Sequence, residues 1–221
     1  MRAINSHKSF LQGQHGYNLI QLAIAMVVAG VMLAGTLTAY GVYLETKKRQ
    51  TTQSNLAQAV SRLQDFRTLQ GRFPCPADIT VPRADPNHGR ESPCTLADAA
   101  STLSSAHATP LAFGNCLGGV CVERGRTTRP DPATGAAIPI PVLEQRVIVG
   151  AIPFRALQMD EEDTIDGYGA RYLYAVTQSM TDASTFNETR GVIAVVNEGN
   201  QTVVDPPGSV GFVILSPGRN S

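Results

Sequence analysis

The chain lacks tryptophan, a net charge and the common catalytic motifs. The last two absences restrict the classes of function that the sequence supports. Its 221 residues include 18 basic and 18 acidic side chains. The chain therefore has no net positive charge that would attract nucleic acid, and we predict no nucleic-acid partner. There is no G-x-S-x-G turn, no H-E-x-x-H helix and no phosphate-binding glycine loop. His88 and His107 lie in Pro- and Gly-rich surface stretches without a partnering Cys or Ser motif. We therefore predict a structural or binding protein and not an enzyme.

Cysteine is scarce, and all of it lies after residue 70, at Cys75, Cys94, Cys116 and Cys121. An even number on one side of a hydrophobic segment favours two disulfides in an oxidising compartment. Three pairings are possible, and the sequence does not choose among them. Four reduced thiols are the alternative. Zinc is disfavoured because the C-x4-C spacing of the last two cysteines has no matching second pair.

Charged residues are absent from Leu22 to Leu44. As a helix, this run of about 23 residues would reach roughly 35 Å, enough to cross a bilayer core of about 30 Å. A secretory signal has a shorter apolar region of about 7–15 residues. Although residues 39–41 form a weak cleavage site, we predict a retained single-pass transmembrane helix. The cations at residues 47–49 would place the following domain in the cytoplasm, whereas the cysteines favour the opposite side.

The residues before this run, Gly16-Tyr-Asn-Leu-Ile-Gln21, resemble the cleavage signal of type IV prepilins and type II secretion pseudopilins. In that family a prepilin peptidase cuts after the glycine and methylates the new N-terminus. The resemblance implies that residues 1–16 are a leader, that Gly16 is its last residue and that Tyr17 is the first mature residue. It also implies that residues 17–44 form a transmembrane and filament-core helix. Leu19 and Ile20 match the hydrophobic pair that follows the family's cleavage site.

Gln21 stands where most members of this family have a glutamate, which is thought to neutralise the N-terminal amine of a neighbouring subunit. An amide can form a hydrogen bond but supplies no compensating charge. Because pseudopilins that lack this glutamate typically occupy the filament tip, the resemblance implies a tip position. Alternatively, Gln21 is a polar residue tolerated near the edge of the bilayer.

The helix is predicted to continue as an amphipathic stem over residues 45–71. Apolar residues recur there at helical spacing, namely Leu56, Ala59, Leu63 and Phe66. No proline occurs in residues 17–73, and Gly71 followed by Pro74 gives a stop signal. We therefore predict one helix of about 50 residues whose second half packs on a folded domain. The alternative is a membrane anchor followed by an ordinary first helix.

The head, residues 72–221, divides into an irregular part and a strand-rich part. Residues 73–145 are dense in turn-forming residues, which predicts loops stapled by the disulfides. Four short β-branched or aromatic stretches follow, at 146–154, 170–177, 191–198 and 210–216. Their connections are too short for crossover helices, so we predict an antiparallel sheet and an α+β fold. The resemblance implies a pilin-like packing of the long helix across this sheet.

Three further motifs extend the resemblance to a group of pilin-like secretion proteins. They are Gly71-Arg-Phe-Pro-Cys-Pro76, Gly150-Ala-Ile-Pro-Phe-Arg-Ala-Leu157, and Asp166-Gly-Tyr-Gly169 followed by Tyr174-Ala-Val176. The resemblance implies a minor pilin or pseudopilin of a type IV pilus or type II secretion machine. It would sit in the bacterial inner membrane with its head in the periplasm. Its partners would be prepilin peptidase, other pilins or pseudopilins, and inner-membrane lipid. The rival interpretation is a membrane-anchored periplasmic binding module that does not polymerise.

The acidic loop at residues 160–166 is a candidate cofactor site. The carboxylates of Asp160, Asp163 and Asp166 suit calcium, a hard cation that prefers oxygen ligands. Major pseudopilins bind calcium in a loop near this part of the fold. The spacing matches no EF-hand, so a solvated acidic turn is the alternative. We predict no other cofactor.

Overall fold

The computed structural model of the protein describes residues 19–131, 133–204 and 210–220, without the side chains at positions 35, 37, 38 and 220. The chain divides into two compact units after Thr46. One α-helix, α1 (Leu19–Gln70, 52 residues), contributes to both units. The prediction of a single long helix is therefore confirmed. The end of the helix follows from Gly71, whose φ of 66° breaks the helical path and whose amide donates to the Arg67 carbonyl.

The first part of α1 is exposed and apolar. Every described side chain from residue 19 to residue 44 is exposed. The helix is long and apolar enough to cross a membrane. Two threonine hydroxyls bond to the helix itself: Thr36 donates to the Leu33 carbonyl and Thr46 to the Val42 carbonyl, both at 2.9 Å. Such internal bonds satisfy a hydroxyl that has no water nearby.

The second part of α1 packs on the head. Ala59 and Leu63 are fully buried, and Leu56 and Phe66 are partly buried against the same core. The apolar residues that the sequence pattern placed on one side of the stem therefore lie against the core. These positions recur every three or four residues, so they form one stripe on the helix surface.

The seven short strands in the described part of the head form a five-stranded antiparallel sheet and a separate two-stranded hairpin. In chain order the strands are β1 (Asn115–Leu117), β2 (Val120–Arg124), β3 (Thr128–Pro130), β4 (Ala137–Pro139), β5 (Arg146–Ala151), β6 (Leu173–Thr177) and β7 (Phe212–Leu215). The large sheet has the order β1-β2-β5-β6-β7, and β3 pairs with β4 alone. The α+β class and the antiparallel sheet are therefore confirmed.

The core lies between α1 and one face of the large sheet. On adjacent strands the register pairs Ile148 with Val176 and Gly150 with Tyr174. Ile148, Tyr174 and Val176 are fully buried and belong to the same cluster as Leu63. Their alternation along β5 and β6 places them on one face, as the period of two in a strand requires.

The expected layout of the head is corrected at two places. Within residues 73–145, predicted as loops, β1 to β4 form two hairpins. Three of these four strands are only three residues long, and glycine and proline lie in or beside them, so the sequence pattern did not identify them. The predicted strand at 191–198 forms only isolated bridges, at Ile193 and Val196. The reason is visible at Val192, whose amide bonds to the Thr177 hydroxyl (3.1 Å) and whose carbonyl accepts from the Arg126 amide. These bonds occupy the backbone groups of Val192, which therefore do not pair with a neighbouring strand.

Candidate functional site

The predicted processing and assembly residues lie at the start of α1. Gly16 and Tyr17 fall outside the described residues, so cleavage after Gly16 stays a prediction. Leu19 and Ile20 begin the helix with 86% and 72% of their surface exposed, and Gln21 is exposed beside them. A neutral amide therefore stands on an otherwise apolar surface. Such a group forms a hydrogen bond to a neighbouring chain more favourably than it contacts lipid alone.

Two glycines open the surface of this apolar segment. A Cβ built at Gly30 or at Gly41 would meet no atom within 4 Å. Small residues on a membrane helix let another helix approach closely. The segment can therefore contact either lipid or another helix.

The cysteines form two disulfides, Cys75–Cys94 and Cys116–Cys121, as predicted. The structure selects one of the three possible pairings. Cys75 and Cys94 are 2% and 0% exposed, so the first disulfide belongs to the core. Cys116 lies directly opposite Cys121 in the β1–β2 hairpin and is exposed.

A buried arginine fixes the loop beside the first disulfide. Arg146 donates to the Gln178 side-chain oxygen (2.7 Å) and to the carbonyls of Leu111 (3.0 Å) and Leu103 (3.1 Å). Gln178 in turn donates to the carbonyls of Cys94 and Leu103. Burial lowers the pKa of Arg146. Neutral acceptors thus hold this cation and tie the irregular segment to β5.

The first two head motifs lie together and act as structural joints. The Tyr174 hydroxyl donates to the Pro74 carbonyl at 3.1 Å. Ala77 and Ala151 exchange two backbone hydrogen bonds of 2.9 Å. Gly150 lets its strand and the segment at Ala77 approach closely, because a Cβ at position 150 would lie 2.7 Å from the Ala77 carbonyl oxygen. These residues connect the segment after α1 to the central strands.

The third motif is organised by the buried carboxylate of Asp166. One oxygen accepts from the amides of Tyr168 (2.9 Å) and Ala170 (2.8 Å). The other accepts from the Ser216 hydroxyl (2.7 Å) and the Gly218 amide (3.2 Å). Burial alone would raise the pKa of Asp166, but these hydrogen bonds outweigh it and hold the pKa below its ordinary value. The motif thus joins this loop to the segment that follows β7.

The same loop docks on the stem of α1. The Gly167 amide donates to the Thr52 hydroxyl at 2.9 Å, and the Tyr172 hydroxyl donates to the Thr52 carbonyl at 3.0 Å. A Cβ at Gly167 would lie 2.1 Å from the Lys48 carbonyl oxygen, so only glycine fits. Burial, followed by the charge of Asp166, raises the pKa of Tyr172 to about 12. The Tyr172 hydroxyl therefore stays protonated and keeps its donor role at neutral pH.

The predicted calcium ligands are not brought together. Among the described residues, no group of three His, Cys, Asp or Glu side chains could hold a metal ion. Asp163 accepts a hydrogen bond of 2.9 Å from the Gln58 side chain, and Asp160 is exposed. Both oxygens of Asp166 are already occupied by the donors described above. The acidic loop serves chiefly to join segments of the head.

A polar cluster around Glu161 was not predicted from the sequence. One Glu161 carboxylate oxygen is contacted by Arg83 (2.8 Å), Arg171 (3.0 Å) and His88 (3.1 Å). His88 is buried, at 3% exposed, and its ring lies edge-on to Phe154. The expectation that His88 lies in a surface stretch is therefore wrong. Burial would raise the pKa of Glu161, but the hydrogen bonds from His88 and Arg83 and their charges hold it below its ordinary value.

No signal in the sequence identified this cluster, because Glu161 and His88 are separated by 73 positions. Both ring nitrogens of His88 contact groups within the head. The other nitrogen of the His88 ring lies 2.8 Å from the Val81 carbonyl. The cluster therefore joins the segment that carries Arg83 and His88 to the acidic loop.

Comparison with known proteins adds no relative: no protein-family model matches the chain, and no curated protein and no solved structure is significantly similar to it.

Proposed function

We propose that this protein is a minor pilin or pseudopilin subunit of a type IV pilus or type II secretion machine. Prepilin peptidase would cut it after Gly16. The subunit would then join a filament through the first part of α1 and display its head in the periplasm. Its role is structural, and the chemistry belongs to the peptidase that acts on it.

One observation carries the proposal: α1 is a continuous helix whose first part is exposed and apolar and whose second part packs on an antiparallel sheet. A simple membrane anchor needs only the first part. A filament subunit needs both, because the helix must serve the filament core and support the head. The two disulfides add to this support, since they favour a head in an oxidising compartment.

Gln21 is the basis for proposing a tip position. In a filament core of low dielectric, the N-terminal amine of a neighbouring subunit would need a compensating negative charge. Gln21 supplies none. A subunit at the tip has no neighbour above it that requires this charge, so a glutamine is tolerated there.

Processing is tested by mass spectrometry of the N-terminus after expression with and without a prepilin peptidase. The expected mature chain begins at N-methylated Tyr17 only when the peptidase is present. Gly16→Val should abolish the cut, whereas Gly13→Val is a matched control that should leave it intact. An unprocessed Met1 with the active peptidase, or a cut near Gly41, would contradict the proposal and favour a non-polymerising anchored module.

Position in the filament is tested separately by cross-linking from Tyr17. The wild-type chain should form cross-links to other subunits but not to a second copy of itself. Gln21→Glu restores the charge and should permit self-cross-links along the shaft. Repeated self-cross-links of the wild-type chain would rule out the tip position while leaving processing unaffected.

A further inference from the structure

The segment at residues 163–168 lies antiparallel to the stem of α1. Four contacts join the two, and their order along the helix is the reverse of their order along the segment. They are Asp163 with Gln58 (2.9 Å), Ile165 with Asn55 (3.0 Å), Gly167 with Thr52 (2.9 Å) and Tyr168 with Lys48. The segment therefore ends, at Tyr168, beside the part of the stem that directly follows the charge-free run in the chain.

The packing of this segment fixes Tyr168 beside Lys48. The Lys48 Nζ atom lies 5.4 Å from the centroid of the Tyr168 ring, within the range of a cation–π interaction. The Tyr168 amide donates to the Asp166 carboxylate at 2.9 Å. The neighbouring Gly167 lies so close to the Lys48 carbonyl that no Cβ fits. The head therefore presents an aromatic ring and an ammonium group together, as a Lys48–Tyr168 pair.

The last turns of the charge-free run carry two more tyrosines. Tyr40 and Tyr43 are 61% and 57% exposed. Together with Lys47 they are spaced by three and then four residues, so the three side chains share one face of α1. Tyrosines concentrate at the boundary between the hydrocarbon and the headgroups of a bilayer, and a lysine beyond them extends its ammonium group toward the lipid phosphates. Tyrosine followed by lysine is therefore the order expected where a helix leaves a membrane.

The positive charge at this level of the helix is not neutralised within the chain. Lys47 and Lys48 are exposed, and neither forms an ion pair with a carboxylate in the described part of the chain. Glu45 and Arg49 are four residues apart on α1, so their charges offset each other. The acidic loop contacts the stem with a carboxylate at Gln58, which is about 15 Å farther along the helix than Lys48. Because this distance exceeds the screening length of about 8 Å at physiological ionic strength, the two lysines form a positive patch.

We propose that Lys47, Lys48 and Tyr168 contact the headgroups of anionic phospholipids while the subunit lies in the membrane. The two ammonium groups bind lipid phosphates, and the Tyr168 ring lies at the level of the headgroups. Through the Lys48–Tyr168 pair, the membrane surface then holds the loop at residues 166–169, and with it the head. This inference rests on the membrane-spanning part of the proposed function, but not on cleavage after Gly16 or on assembly into a filament.

The contact is tested by nuclear magnetic resonance on the full-length chain with nitrogen-labelled glycine. The chain is placed in nanodiscs of phosphatidylcholine alone, or of phosphatidylcholine with an equal part of phosphatidylglycerol. A lipid with a nitroxide on its headgroup broadens the signals of amides near the membrane surface. The signals of Gly167 and Gly169 should broaden more than that of Gly135 in the β3–β4 hairpin, and at least about twofold more with the anionic lipid than without it. Equal broadening of the three signals, or broadening that does not depend on the anionic lipid, would overturn the proposal.

Substitutions on α1 test the two lysines directly. Replacing both Lys47 and Lys48 by glutamine should reduce the broadening of the loop signals to the value in the neutral nanodiscs. Lys47→Gln alone leaves the Lys48–Tyr168 pair intact, so the fold of the loop is preserved, and it should remove about half of the effect of the anionic lipid. Arg62→Gln is the matched control, because it removes an exposed cation from the same helix and should change nothing. Unchanged broadening in both lysine variants would refute the assignment.

A second labelled lipid distinguishes failure of this inference from failure of the proposed function. A nitroxide near the end of the acyl chain should broaden the signal of Gly30, which lies within the charge-free run. If Gly30 is not broadened, the segment does not span the bilayer, and the proposed function fails together with this inference. If Gly30 is broadened but the headgroup nitroxide leaves Gly167 and Gly169 sharp, the membrane span stands and only the contact with lipid headgroups is refuted.

Discussion

Asp166→Asn is the substitution that most directly tests how the head is held together. The carboxylate accepts four hydrogen bonds, from the amides of Tyr168, Ala170 and Gly218 and from the Ser216 hydroxyl. An asparagine has the same shape, and its oxygen can keep the first two bonds. Its NH₂ group then faces the Gly218 amide, so two donors oppose each other. The Ser216 hydroxyl can rotate to accept from this NH₂ group, whereas the Gly218 amide cannot. The substitution therefore removes one bond, reverses another and removes the negative charge that strengthens them.

The expected loss of stability follows from these contacts. A hydrogen bond to a charged group contributes about 1.5–3 kcal/mol, and a buried amide left without an acceptor costs about 1–3 kcal/mol. Asp166→Asn should therefore lower the free energy of unfolding by about 2–4 kcal/mol. For a domain of this size, that corresponds to a fall in Tm of about 5–15 °C. Ser216→Ala removes a single donor to the carboxylate and should cost about 1.5–3 kcal/mol.

The effect should also depend on pH, with a defined sign. The pKa of Asp166 is lower in the folded head than its ordinary value of 3.8, so the ionised carboxylate stabilises the fold above that value. This stabilisation is lost as the pH falls through the folded-state pKa. The difference in stability between the wild type and Asp166→Asn should therefore be full at neutral pH and shrink below about pH 4.

Thermal unfolding of the full-length chain in detergent micelles, followed by near-ultraviolet circular dichroism of the tyrosines, measures these values. Asp160→Asn is the matched control, because Asp160 is exposed in the same loop and its replacement should change stability by less than about 0.5 kcal/mol. A Tm for Asp166→Asn within about 2 °C of the control would refute the reasoning. Millimolar calcium should leave the wild-type Tm unchanged, since binding would require Asp166 to give up its present donors.

Three other substitutions test separate parts of the structure. Gly167→Ala would place a methyl group against the Lys48 carbonyl and should destabilise the head by about 1–3 kcal/mol, measured by the same thermal unfolding. Replacing the Cys75–Cys94 disulfide, which closes a 19-residue separation, by two serines should cost about 3 kcal/mol in urea unfolding. Gly30→Leu should leave the Tm of the isolated subunit unchanged but reduce its cross-linking to other subunits, because a Cβ at Gly30 would meet no described atom within 4 Å beyond its own turn of helix.

The elements that the sequence predicted well are those specified by local patterns. The stem of α1 follows from apolar residues at helical spacing, such as Ala59 and Leu63, and its end follows from Gly71. The strands β5 and β6 follow from runs of β-branched and aromatic residues. Two disulfides follow from an even number of cysteines. Each of these signals lies within a few residues or in the composition.

The parts that could not be predicted depend on contacts between distant residues. The pairing of Cys75 with Cys94 is set by how the loop lies on the core, and no spacing rule specifies it. His88 seemed isolated because its partner Glu161 is 73 residues away. The three motifs carried the resemblance to a known family, but only the structure shows that their residues join separate segments of the head.

The irregular parts of the head are held by side chains at a few fixed positions rather than by ladders of backbone bonds. Arg146, Glu161 and Asp166 each bond to groups from at least two separate segments. Several of the partners contribute only a backbone group. Any residue supplies a backbone carbonyl, and any residue except proline supplies a backbone amide donor. The identity of the loop residues can therefore change while the arginine and the two carboxylates stay. For a subunit proposed to present its head to other proteins, this arrangement separates the residues that fold the head from those that are free to recognise a partner.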